Sequence, residues 1–156
     1  MKKKKLIGLL LILITVIIII LLIIFHYDKK ICKNTIKEEN FTINNIYKIY
    51  YKKDIVYKVL IERKVISKNN TILSFFENQS KEEINKNNKE FSGYKIISST
   101  TKDNKYILKV ELKLGKENVK KLSKNKYFLK NDIKNNKLKI EGIYKLLSID
   151  KEKCSY

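Results

Sequence analysis

Between Leu6 and Phe25 the chain reads LIGLLLILITVIIIILLIIF, with no charge, no amide and one hydroxyl side chain, that of Thr15. A segment without a polar face cannot lie on the surface of a globular domain, so its natural environment is lipid. As a helix rising about 1.5 Å per residue it covers roughly 30 Å, the hydrocarbon thickness of a bilayer. The lysine run Lys2 to Lys5 precedes it. The sequence therefore predicts a basic cytoplasmic head (1–5), a transmembrane helix (6–25), a juxtamembrane linker (26–40) and one extracytoplasmic domain (41–156). The lipid bilayer is the first expected partner.

A secretory signal has the same outline, but its apolar region is about 7 to 15 residues long and ends in small residues. Here the run is longer, its exit reads FHYDKKIC, and the chain contains no Ala. Retention as a single-pass signal-anchor is the expectation. Lys29, Lys30 and Ile31 stand where a lipoprotein signal needs small residues before Cys32, so lipidation of Cys32 is disfavoured. Lys2 to Lys5 face Lys29, Lys30, Lys33 and Lys37 across the segment, a nearly even balance. A basic head is hard to translocate, which favours a cytoplasmic N-terminus and an extracytoplasmic C-terminal domain at the cell membrane.

Behind the anchor, about 125 residues suffice for one domain with a core. The formal charge is +19, yet of the 35 basic residues only Arg63 is arginine. Base-edge readout prefers the guanidinium fork, so sequence-specific nucleic-acid recognition is disfavoured. The lysines are dispersed among Ile, Asn and Tyr, as in a chain from an AT-rich genome. They are compatible with weak attraction to anionic lipid or envelope polymer. Tyr47, Tyr50, Tyr51 and Tyr57 could form a stacking set, but they fall in alternating runs where an aromatic is a good strand residue.

Phe41, Ile43, Tyr47, Ile49 and Tyr51 keep a period of two, interrupted at Asn45. After a Lys52-Lys53-Asp54 turn, Ile55, Tyr57, Val59, Ile61 and Val65 alternate with Lys58, Glu62 and Lys64, and the two runs predict a hairpin. Ser80 and Glu83 have capping-box spacing and predict a helix start, with Gly93 as its stop through positive φ. Tyr94 to Thr101 and Lys105 to Leu114 predict a second hairpin across Asp103-Asn104. Helical spacing marks Lys116 to Ser123 and Leu138 to Ile149. The fold class expected is α+β: the transmembrane helix, then an antiparallel sheet of about four strands covered on one face by two or three helices.

This layout resembles the YehR-like small lipoproteins of bacteria. The resemblance is carried by YYKKDIVYKVLIERKVI (Tyr50 to Ile66), SKEEI (Ser80 to Ile84), EFSGYKIISSTTKDNKYILKVEL (Glu90 to Leu112), KENVKKLSK (Lys116 to Lys124) and IEGIYKLL (Ile140 to Leu147). It implies an envelope-facing α+β domain, and since the function of that family is unknown it brings no enzyme activity with it. The chain departs from it at Cys32, which lacks a lipobox.

Catalytic signatures are sparse. The sole histidine, His26, adjoins the apolar segment and reads as an interfacial residue. Two distant cysteines and one histidine have no zinc spacing. Gly115-Lys116 is followed by Glu117 where a phosphate-binding loop needs Ser or Thr. Glu82-Glu83 reads as favourable charge at a helix N-terminus. Asn40-Phe41-Thr42, Asn69-Asn70-Thr71 and Asn78-Gln79-Ser80 match the glycosylation triplet, which matters only in a eukaryotic secretory pathway. Cys32 and Cys154 bracket the domain and form a candidate disulfide, with two free thiols as the alternative. No cofactor and no catalytic or metal-binding residue is expected. The sequence favours a membrane-anchored, non-catalytic domain that binds or scaffolds a protein partner or other ligand. The alternative is an electrostatic module for anionic envelope polymer or nucleic acid.

Overall fold

The computed structural model describes residues 11–20, 27–124 and 130–155. Residues 11–20 form helix α1, in which the Thr15 hydroxyl donates to the carbonyl of Ile12 at 2.8 Å. Among the described residues no helix is long and apolar enough to cross a membrane. The expected transmembrane helix over 6–25 is corrected on that finding, and the single-pass signal-anchor topology is corrected with it. Residues 6–10 and 21–25 of the expected span, His26 and the 1–5 head lie outside the described residues.

From Asp28 onward the chain is α+β, as the alternating runs imply. Six strands make one antiparallel sheet: β1 (Asp28–Lys37), β2 (Thr42–Lys52), β3 (Ile55–Ile66), β4 (Tyr94–Lys102), β5 (Lys105–Lys113) and, near the C-terminus, β8 (Cys154–Ser155). Their order is β4-β5-β3-β2-β1-β8, so the sheet is wider than the expected four strands. The stretch expected as a linker supplies β1. Its sequence, DKKICKNTIK, buries only Cys32, and what makes it a strand is ten-position pairing with β2, from Asp28↔Tyr51 to Lys37↔Thr42.

Both expected hairpins are present. Lys53 and Asp54 (φ 48° and 65°) turn β2 into β3, and Asp103 and Asn104 (φ 51° and 58°) turn β4 into β5. Two successive positive φ values give a two-residue loop whose twist matches that of the flanking strands. Asn135 and Asn136 repeat the device between the short strands β6 (Ile133–Lys134) and β7 (Lys137–Leu138).

Helix α2 spans Asn70–Phe91 and starts well before Ser80. Its N-cap is Asn69, whose side chain accepts from the Thr71 amide at 2.9 Å. The apolar patch at Ile72 to Phe76 joins the helical stripe, and Leu73, Ser80, Ile84 and Phe91 are its buried positions. The capping box at Ser80 is therefore corrected: Ser80 is a buried residue in mid-helix. Helix α3 covers Lys116–Leu122, and α4 covers Ile140–Leu146, shorter than the expected 138–149 because Leu138 is taken into β7.

The left-handed residue that ends α2 is Ser92 (φ 55°), not Gly93. Gly93 serves close approach instead. A Cβ there would lie 2.8 Å from Phe91 Cε2, 3.0 Å from Leu112 Cδ1 and 3.0 Å from the backbone oxygen of Lys113. Gly93→Ala is expected to cost about 1 to 3 kcal/mol through overpacking, read from denaturant unfolding. An unchanged midpoint would show that these neighbours yield freely.

One face of the sheet carries α2, α3 and α4. Ile49, Val59 and Leu112 pack there with Phe91, Val119 and Ile143, while Val65, Tyr106 and Leu108 pack with Leu73 and Ile84. Between these clusters the helix-facing side is polar, and a cleft opens.

Candidate functional site

Along β3, Val59, Ile61, Arg63 and Val65 share a face by period two, so the single arginine occupies a position otherwise reserved for apolar side chains. Along β2, Asn45 interrupts the Ile43–Tyr47–Ile49 face in the same way. Register makes the two breaks one feature, because Asn45 pairs with Arg63. Arg63 Nε donates to Asn45 Oδ1 at 3.2 Å, and Nη1 donates to Ser80 Oγ on α2 at 3.4 Å. Asn45 and Ser80 are 6% and 1% exposed, so the guanidinium is held by groups that water cannot reach. Nη1 also lies 3.6 Å from Glu83 Oε2, whose side chain is more than half exposed. Nη2 has no acceptor among the described residues.

Around this guanidinium is a cleft of about 310 Å³. Tyr47 and Tyr94 come from the sheet, Ser80, Glu83, Ile84 and Asn87 from α2, and Leu146, Leu147 and Ser148 from the C-terminal helix and the turn after it. Tyr94 is clamped by Asn88: its amide donates to Asn88 Oδ1 and its carbonyl accepts from Asn88 Nδ2, both at 2.8 Å. Burial, and then the negative charge of Glu83 and that of Tyr47 once it ionises at high pH, push the Tyr94 phenol up to about 12. Burial also raises Tyr47, against a lowering by Arg63. Both phenols stay protonated at neutral pH and can donate hydrogen bonds into the cleft.

Glu83, expected at a helix N-terminus, belongs to this cleft because α2 begins eleven positions before Lys81. Cys32 and Cys154 are joined by a disulfide, with Cα atoms 3.9 Å apart at facing positions of β1 and β8. That bond ties the chain just beyond Ser148 to the sheet. Among the described residues no group of three or more His, Cys, Asp or Glu could hold a metal ion. Gly115 is the N-cap of α3, and Asp103-Asn104 is a hairpin turn. Arg63 was not singled out by motif. The signal that marks it is phase, a charged residue where period two demands an apolar one.

Comparison with protein-family models, curated proteins and solved structures returns no match.

Proposed function

We propose that the domain is a non-catalytic binding module whose Arg63 cleft takes a small ligand through a carboxylate. The observation that carries this reading is a lone arginine, pinned by two buried partners beside a cleft, whose two Nη2 donors have no acceptor among the described residues. A planar guanidinium matches a carboxylate, and a charge-assisted bond of this kind is about twice as strong as a neutral one. Tyr47 and Tyr94 supply neutral donors, while Ile84, Leu146 and Leu147 supply apolar wall. Burial keeps both phenols protonated, so at neutral pH they meet a carboxylate as hydrogen-bond donors.

The test uses the full-length protein and an N-acetylated tripeptide, compared with its C-terminal amide, by NMR titration. The free carboxylate should shift the amide signals of Tyr47, Arg63 and Ser148, and the amidated peptide should not. Arg63→Lys should weaken binding about tenfold, or roughly 1.4 kcal/mol. Equal response to both peptides, or none to either, would remove the proposal.

A second reading, the electrostatic module for anionic envelope polymer or nucleic acid, draws on the opposite face of the sheet. There Lys48, Lys58, Lys64, Lys105, Lys109 and Lys113 stand at outward positions of three adjacent strands. Glu62 lies 3.8 Å from Lys109 and Glu111 lies 3.3 Å from Lys113, so the face is only partly uncompensated.

A further inference from the structure

At one end of that opposite face, away from the Arg63 cleft, Tyr27, Tyr50, Tyr57, Lys58, Lys113 and Gly115 line a pocket of about 450 Å³. A β-bulge creates it. Tyr50 pairs with Lys58 and Tyr51 with Val56, which leaves Tyr57 as the extra residue on β3 and re-aims its side chain. The carbonyl of Tyr57 is held by the Leu114 amide at 3.0 Å. Its ring meets that of Tyr27 edge-to-face, with centroids 5.2 Å apart, yet Tyr57 is 37% and Tyr27 41% exposed. Lys58 Nζ sits 4.9 Å from the centroid of the Tyr50 ring and has no carboxylate partner among the described residues.

Large exposed rings beside lysines need a reason, because an aromatic side chain contributes most to stability when fully buried. The lining narrows the ligand class. A saccharide needs planar acceptors for its hydroxyls, and among the described residues no Asp, Glu, Asn or Gln lines this pocket. A cationic ligand would be repelled by Lys58 and Lys113. What remains complementary is a flat ring carrying an anionic group, the ring against tyrosine and the anion against the ammonium groups.

We infer that this pocket is a second binding site, for a nucleoside phosphate, either as a free nucleotide or as a residue of a single strand. The base stacks on the Tyr27–Tyr57 pair and the phosphate meets Lys58 and Lys113. Lys113 reaches it by leaving Glu111, which its exposed position permits. Recognition is through a ring face and a phosphate, without base-edge readout, in keeping with the scarcity of arginine. Gly115 keeps the mouth open: its φ is −71°, and a Cβ built there meets nothing within 4 Å. A larger side chain at that position is compatible with the fold and obstructs the pocket.

The experiment is an NMR titration of the full-length protein with adenosine monophosphate, with a short oligothymidylate, and with inorganic tripolyphosphate as a charge-only control. The nucleotide should shift Tyr27, Tyr57 and Gly115 and leave Arg63 and Tyr94 in place. Tyr57→Ala should weaken nucleotide binding about five- to a hundredfold, the range seen on deleting a stacking platform. Lys58→Ala should weaken it and reduce the salt dependence by about one ion. Gly115→Leu, with its unfolding midpoint retained, should weaken it as well. Binding of both nucleotide and oligomer, or of the oligomer alone, supports the site and identifies the source. Tripolyphosphate binding as tightly as either, with Tyr57→Ala and Gly115→Leu without effect, would overturn it. A failed carboxylate titration at Arg63 leaves this result untouched, since the two sites share no residue.

Discussion

Replacing Cys32 and Cys154 together by serine should destabilise the domain by about 4 to 5 kcal/mol, the chain-entropy value for a closed loop of this size. The bond spans 122 positions, so almost the whole folded chain lies inside the loop it closes. The structural consequence is more specific. Strand β8 is two residues long and is held through the pairs Ile31↔Ser155 and Cys32↔Cys154, too few ladder bonds to persist alone. Without the bond, the segment after α4 should fray, and Leu146 to Ser148 should lose their place in the wall of the Arg63 cleft. Guanidinium unfolding should show a large drop in midpoint, and the carboxylate titration should weaken in the same variant. Full alkylation of both thiols in unreduced protein, or a variant that unfolds at the original midpoint, would refute this.

Leu112→Ala should cost about 3 kcal/mol, within the range of about 2 to 5 for emptying a fully buried leucine site. Leu112 is 0% exposed, lies between Val59 of β3 and Tyr94 of β4, and would stand 3.0 Å from a Cβ at position 93. Beside it the Lys113 amide donates to the Gly93 carbonyl at 2.9 Å, which fixes the backbone and leaves little room to collapse into the void. Ile97→Ala is the control, since Ile97 is 56% exposed at the bulge of β4 and should change stability by about 0.5 kcal/mol or less. The midpoint should move while the denaturant slope stays constant. Because Leu112 touches the position that Gly93→Ala fills, the double variant should cost less than the sum of the single ones. Strict additivity would contradict the close approach, and a loss under about 1 kcal/mol would place Leu112 outside the core.

The parts of the fold that rest on local pattern were legible. Alternation over Phe41 to Val65 and Tyr94 to Leu114 marks four strands, and Lys53-Asp54 and Asp103-Asn104 mark their turns, because pleat and turn chemistry act within a few residues. Strand β1 was not legible, since DKKICKNTIK carries one buried side chain and owes its conformation to a neighbour on each side. Ser80 and Glu83 imitate a cap in sequence, whereas α2 is capped by Asn69, ahead of the apolar patch. Hydropathy and length predict a span over 6–25. Only 11–20 of it is described as helix, and among the described residues no helix is long and apolar enough to cross a membrane.

By itself the sequence determined the α+β class, two hairpins and the faces of their strands, since side-chain alternation and paired positive-φ turns are properties of short segments. It also contained the two phase breaks, Asn45 and Arg63, as separate irregularities. Only the tertiary structure decided that they meet each other and Ser80 beside a cleft, that Tyr27 joins Tyr57 across a bulge, and that Cys32 faces Cys154. Register between strands and the seating of a helix on a sheet are set by the packing of the whole core, and no window of sequence contains that information.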